Sequence, residues 1–275
     1  MKNWSLQEAV ASYQRVCVKI DLDAAEENMI HMKEHIAPGT KMLAVIKTDG
    51  YGHGAAQIAS VLEPLDFVWG YATATPEEAH LLRTSGIQKP ILILAYTFPY
   101  CYAMLARNEI RPAVFREDTL PELQKAALSS GKKIKVHVKV DTGMGRIGIF
   151  PDERGYAFIE KLLTFPQLEV EGIFTHFARA DEKDKGPAFR QLEEYNRMAG
   201  WIRERGVYIP IHHTANSASI MELPETALDA VAAEFDVNGG FAGDGRDGLP
   251  KGWQFHTWEA FLFRRMRPVR AAALP

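Results

Sequence analysis

Long apolar runs are missing from this 275-residue chain. No stretch approaches the roughly 18 consecutive apolar residues that a membrane-spanning helix needs. The first residues, Met1 to Glu8, are polar and lack the apolar heart of a secretory signal. Cysteine is scarce: Cys17 and Cys101 lie far apart, and no C-x-x-C pair occurs. That argues against a disulfide scaffold and a dithiol redox centre, and a reducing cytoplasm is the expected location. An excess of one charge is missing too, the formal net charge being -3. Neither nucleic acid nor a membrane surface is an expected partner. Metal-ligand spacing is absent. His212 and His213 are adjacent, and neighbours on a strand face opposite sides, so no metal site is expected of them.

What is there suits a globular α/β protein. Apolar residues make up 47% and charged residues 24% of the chain, which is long enough to bury a core without staples. Short β-branched runs alternate with amphipathic stretches. The first run, residues 16–20, alternates apolar and polar as a strand does. Residues 21–37 read as a helix, with Asp21 or Asp23 as its cap. Strands are then expected at residues 42–46, 67–71, 91–96, 111–115, 135–140, 168–176, 208–213 and 227–231. Helices are expected between most of them, among them 75–84, 118–128, 152–163 and 187–205, with Pro76 and Pro187 suited to first turns. Eight alternating units predict a (β/α)8 barrel of TIM type, the helix before the first barrel strand covering the place of an eighth. Residues 232–275 differ. A glycine-rich stretch at 238–248 precedes a patchy aromatic segment at 253–263 and the basic Arg264, Arg265 and Arg267. No period is sustained there, so an irregular tail of loop, linker or disorder is expected.

In such a barrel the chemistry sits where strands end. Lys47 ends the run 42–46. Its stem would be buried and its amine partly desolvated, which lowers its pKa and makes it a nucleophile. The position also suits a lysine that simply reaches back to water. Lys139 ends another strand inside the barrel, where a lone charge needs a partner. The following residues 143–148, GMGRIG, fit the G-x-G-x-x-G pattern of dinucleotide sites, though that pattern belongs in a first βα unit and this one follows the fifth barrel strand. His176 ends the sixth strand, and Asn216 and Ser217 open the segment after the seventh, where they suit either a helix cap or an anion site.

Four segments together resemble the alanine racemase family. They are AVIKTDGYGHG at 44–54, KVDTGMGRIG at 139–148, GIFTHFA at 172–178 and HHTANSA at 212–218. The resemblance implies a pyridoxal-phosphate enzyme that interconverts L- and D-alanine and supplies D-alanine for the cell wall. It makes Lys47 the catalytic lysine that carries the cofactor, and Tyr51 a contact to the cofactor phosphate. Arg146 would face the substrate carboxylate and the cofactor's phenolic oxygen, its fork of donors matching a carboxylate. Lys139 would orient Arg146, in many members as a carbamate, with a neighbouring carboxylate as the alternative partner. His176 would lie against the cofactor ring, Asn216 and Ser217 near the phosphate, and His213 behind the site, bonded to a second arginine.

The resemblance stops after Val231. Counted from His213 and Ser217, the second arginine, which contacts the ring nitrogen, should stand where Ala232 does, and backbone donors to the phosphate should come from Glu234 and Phe235. Relatives then carry a β domain with the acid–base tyrosine for the opposite face of the substrate. Residues 1–231 are thus expected to form a cofactor-binding barrel, and 232–275 an atypical tail left by a shifted reading frame or by divergence. Impaired racemisation follows from that expectation. So does doubt about the homodimer that the family forms. A non-catalytic pyridoxal-phosphate barrel and an amino-acid decarboxylase of the same fold remain as alternatives.

Overall fold

The computed structural model of the protein describes residues 20–234. Most of the strand expected at 16–20 and all of 235–275, with its glycine-rich and aromatic segments, lie outside the described residues. Within them, eight parallel strands close into a barrel in sequence order, the first pairing with the last. The strands are β1 (Lys41–Val45), β2 (Val68–Thr73), β3 (Ile91–Ile93), β4 (Ile110–Val114), β5 (Ile134–Lys139), β6 (Leu168–Phe174), β7 (Ile211–His213) and β8 (Ala230–Glu234). Around them run α1 (Leu22–Glu34), α2 (Ala55–Leu62), α3 (Pro76–Thr84), α4 (Tyr102–Asn108), α5 (Leu120–Ser130), α6 (Glu153–Leu163), α7 (Gly186–Glu204) and α8 (Ser217–Glu222). This is the (β/α)8 barrel expected. No helix of the described residues is long and apolar enough to cross a membrane.

Local signals explain where the helices begin. Asp21 caps α1 by accepting the Ala24 N–H at 3.1 Å. Thr75 and Glu78 form a capping box at α3, with Pro76 in the first turn. Asp152 accepts the Arg154 and Gly155 N–H groups at the head of α6. The preceding helix α1 packs beside α2, and Thr40 Oγ1 donates to the Leu228 carbonyl at 2.9 Å, so the first and last units are tied together.

Three strands differ from expectation. β3 stops at Ile93, and β7 begins only at Ile211, just after Pro210, which has no N–H to give. β8 starts at Ala230, after the 3-10 turn Pro224–Thr226, and runs on to Glu234. Its last residues, alanine and glutamate, have weak strand propensity, but they pair in register with Ala44 and Val45 of β1. A ladder partner outweighs propensity there. The barrel therefore extends past Val231.

The interior divides into two halves. Leu43, Val45, Ala72 and Leu92, joined by Ala232, form an apolar cluster on the side of β1 to β3 and β8. The side of β4 to β7 is ionic. Glu171 accepts from Arg111 (2.9 and 3.3 Å) and from Lys135 (2.9 Å), and lies 3.4 Å from His137 Nε2. The main apolar core, from Met29 and Leu62 to Met198 and Ile202, fills the layer between strands and helices. Each such side chain contributes roughly 1.5–3 kcal/mol by leaving water.

Candidate active site

Lys47 stands half-buried just past the end of β1. The one-turn segment that it opens, Lys47–Gly52, is left-handed at Thr48, Asp49, Gly50 and Tyr51, with φ between 54° and 60°. For residues other than glycine that backbone costs about 1–2 kcal/mol each, so neighbours must hold it. Glu78 accepts the Thr48 N–H at 2.8 Å and the Ala74 N–H at 2.8 Å. Asp49 accepts the Ala55 N–H at 2.9 Å, and the Gly50 N–H reaches the Ile46 carbonyl at 2.9 Å. The turn lays the Tyr51 ring beside the lysine, whose Nζ is 5.4 Å from the ring centroid. Strain sustained in this way is typical of functional loops.

The loop after β5 is organised by Asp141, which the sequence reading did not single out. Its Oδ1 accepts the N–H groups of Gly143 and Gly145, and its Oδ2 that of Arg146, all at 3.0 Å. Burial pushes its carboxyl up, but these donors and the nearby Lys139 outweigh it and hold it below the usual range. Gly148 folds back onto this hub, and a Cβ there would lie 2.5 Å from the Asp141 nitrogen. No helix opens in the loop, since α6 starts only at Glu153. The N–H groups of Gly143, Gly145 and Arg146 are taken by a carboxylate of the same chain and no helix start follows, which argues against a dinucleotide phosphate cradle here. Arg146 is exposed at the loop's far side. Lys139 is buried below it and donates to the Val140 carbonyl at 2.7 Å, with Nζ 5.5 Å from the Phe174 ring. Burial brings its amine down to about 8, partly offset by Asp141 and aided by Arg146.

His176 lies two residues beyond β6. Burial brings its imidazole down to about 4, and the charges of Arg146, Lys139 and Lys47 add to the shift in that order. Lys47, Lys139 and His176 stand at the same ends of the parallel strands β1, β5 and β6, with Arg146 on the loop after β5, so all four belong to one mouth of the barrel. The sequence-expected residues at the ends of β1, β5 and β6 are brought together there. Asn216 and Ser217 follow β7 at the same end. Asn216 caps α8, its Oδ1 accepting from the Ser219 N–H (3.1 Å) and hydroxyl (2.9 Å), while Ser217 is buried in the first turn.

His213 points inward and stacks on Phe174 with ring centroids 4.6 Å apart. Its Nε2 is 3.1 Å from His137 Nδ1. With Glu171 at His137 Nε2, neutral rings give one order of donors: His137 donates to Glu171, and His213 donates to His137. Burial first, then His137, pushes His213 well below the ordinary histidine range. His212 points outward to the Tyr195 hydroxyl at 2.9 Å, the opposite facing expected of strand neighbours. Ala232 lies two residues beyond Ala230, the partner of His213 in the register, and its N–H donates to the Ala215 carbonyl at 2.9 Å. Besides Asp141, the sequence reading missed Gln191, His137 and Glu171. A signal for Asp141 was legible in an aspartate followed by alternate glycines; the others sit mid-element in no motif.

A family model of the alanine racemase N-terminal domain matches residues 20–233. An alanine racemase of Clostridium perfringens (strain SM101 / Type A) is 41% identical over 217 residues, which is 78% of this chain and 55% of that protein. One of Desulfovibrio desulfuricans is 40% identical over 82% of this chain and 60% of its own length. The chain thus spans a little over half the length of the relatives it matches. Among solved structures, alanine racemase of Clostridium difficile 630 in complex with cycloserine is 39% identical, with a TM-score of 0.76, covering 78% of this chain and 59% of that one. A histidine racemase from Leuconostoc mesenteroides is 25% identical, with a TM-score of 0.74.

Proposed function

The chain belongs to the alanine racemase N-terminal domain family, and from that premise we propose that its barrel binds pyridoxal phosphate through Lys47 and acts on alanine in the cytoplasm. One observation carries the reading. Lys47, Lys139 and His176 stand at one end of the barrel strands with Arg146 on the loop after β5, and Asp141, the carboxylate beside them, is spent on the backbone. A mouth so charged fits a ligand that brings a phosphate, and a substrate that brings a carboxylate. Tyr51, Asn216 and Ser217 are the proposed phosphate neighbours. His176, its imidazole lowered by burial, would lie against the ring, with His213 behind the site.

The cofactor, when bound, supplies a conjugated ring that takes up the charge left on the substrate α-carbon. Lys47 is the residue that would hold the cofactor, through its amine, and would give way there to the amine of the substrate. Lys47 then removes or returns the α-proton on its own face. Arg146 holds the substrate carboxylate in its fork. Lys139, buried beneath it with a softened amine, orients it and is a candidate for carbamylation.

Racemisation needs an acid–base group on each face. Lys47 serves one, and no residue of 20–234 is assigned to the other. Ala232 brings no cation to the ring nitrogen. Low turnover by this chain alone is the consequence, and Ala232 also favours a second reading, a cofactor carrier without turnover. The test is incubation with pyridoxal phosphate, borohydride reduction, and mass spectrometry of the peptide carrying Lys47. The cofactor mass should appear there and vanish in Lys47→Ala. Absence of the adduct in the unaltered chain would sink the proposal. Adduct without alanine racemisation would favour the carrier.

A further inference from the structure

Gln191, in the second turn of α7, is 5% exposed on the helix face that also buries Ala188 and Tyr195. Its amide is fully used. Oε1 accepts the Ala178 N–H at 2.9 Å, and Nε2 donates to the His176 carbonyl at 3.1 Å and to Thr142 Oγ1 at 3.2 Å. Thr142 Oγ1 is itself 2.8 Å from Thr175 Oγ1. Gly143 sits against the same side chain, where a Cβ would lie 3.4 Å from Gln191 Cγ. One amide therefore joins the loop after β5, which carries Arg146, to the end of β6, which carries His176. Thr142 adjoins Asp141, whose carboxylate fixes the Arg146 N–H. The chain of bonds thus runs from Gln191 through the turn to the arginine.

We propose that Gln191 is a positioning residue that sets the register of the Arg146 loop against His176, and so places the site that receives the substrate carboxylate. The inference rests on the function proposed above only in naming that ligand. A glutamine serves here because two acceptors and one N–H donor must be met at once, and no other side chain of that reach offers both. An apolar residue of equal size would leave the Ala178 N–H and the His176 carbonyl without this partner in a dry place, and would free Thr142 from its tie to the helix.

Two variants test it. Gln191→Leu should speed amide hydrogen exchange at residues 142–146 and at 176–178 together, by roughly tenfold or more in each. Faster exchange at 176–178 alone would overturn the brace. This readout needs no cofactor, so it stands even if the cofactor reading fails. Gln191→Glu keeps the shape and makes the donor depend on protonation. In the cofactor-loaded chain, alanine affinity is read from the absorbance change on titration, as a ratio to the unaltered protein. The ratio should be near one at about pH 5, where a buried carboxyl is protonated and donates, and should fall roughly tenfold by about pH 7. The neighbouring His176 and Asp141 titrate below that window. A ratio flat with pH would overturn the proposal, as would cofactor retention falling in step with alanine affinity. If the unaltered chain retains no cofactor, the function proposed above fails and the exchange experiment alone decides.

Discussion

Replacing Glu171 by glutamine should destabilise the barrel by several kcal/mol, because it strips the ionic half of the interior of its anion. The Arg111 and Glu171 side chains are only 12% and 9% exposed, whereas Lys135 is 42% exposed. Water can compensate Lys135 but not Arg111, so the loss is counted on the Arg111–Glu171 pair and on His137 behind it. Breaking such a pair on one side costs about 3–5 kcal/mol, a large share of the 5–15 kcal/mol or so that a domain has. Urea denaturation at neutral pH reads this directly. Trp69 is a local reporter, its ring lying 5.9 Å from the Arg111 guanidinium and 5.5 Å from His137. The midpoint should fall with little change in slope. Adding Arg111→Met should recover part of the loss, since the stranded cation then disappears. Acid gives an independent check. Burial raises Glu171, but His137 and Arg111 outweigh it and hold the carboxyl far below its ordinary value of 4.5. The native state then binds fewer protons than the unfolded chain, so this stabilisation is present above about pH 4.5 and fades as pH falls below it. The gap between the two proteins should narrow there. A cost under about 1 kcal/mol at neutral pH, with no gain from the second substitution, would refute the reasoning.

Burial leaves His137, His176 and His213 with depressed values, His176 near 4. All three take up protons more readily when unfolded, so stability is full above their ordinary 6.5 and is lost as pH falls below it. His176 alone accounts for up to about 3 kcal/mol, and urea midpoints that match at pH values above and below 6.5 would contradict neutral buried rings. Gly172→Ala would set a methyl 2.4 Å from His137 Nδ1. It should cost about 1–3 kcal/mol and disturb the His137–His213 bond, visible as a shift of the His213 ring signals by NMR; an unperturbed spectrum would show that the rings have room to move. Ala232→Arg should bring a cation toward the proposed cofactor and raise cofactor retention in the reduction assay, despite a stability cost of burying charge among Leu43 and Val45. Unchanged retention in a folded variant would mean that Ala232 is not what limits this chain.

The barrel was legible because its signals are local and repeat. Asp21, Thr75 and Asp152 announce their helices, and short apolar runs announce strands buried on both faces. The extension of β8 to Glu234 was not legible, because the residues that decide it lie in β1, almost the whole length of the barrel domain away. At the candidate site, Lys47 and His176 could be singled out because they end strands, and Arg146 because its glycine-rich turn resembles a family motif. Gln191 carries no such mark. It looks like one more polar residue on a long helix, and only the closing of the barrel brings it under Thr142 and His176. The roles of Glu171 and His137 were hidden likewise, since charge in a strand reads as a solvated face until the strand is seen to line an interior.

The layout of charge along the interior bears on why the mouth should take an anion. Deeper in the barrel Glu171 satisfies Arg111 and Lys135 and orders His137 and His213, so those groups carry no demand upward to the mouth. At the mouth the opposite holds. Arg146 helps burial to lower Lys139, the charges of Arg146, Lys139 and Lys47 add to the burial that lowers His176, and the nearby carboxylate of Asp141 is turned into its own turn, accepting three N–H groups. Had Asp141 instead reached Arg146 by its side chain, the arginine's fork would be filled and no carboxylate could enter. By accepting the backbone N–H of Arg146 it fixes where the arginine stands and leaves the guanidinium for another partner. Like charges at one mouth, with the local carboxylate spent on the backbone, favour a ligand that brings negative charge, in keeping with the function proposed.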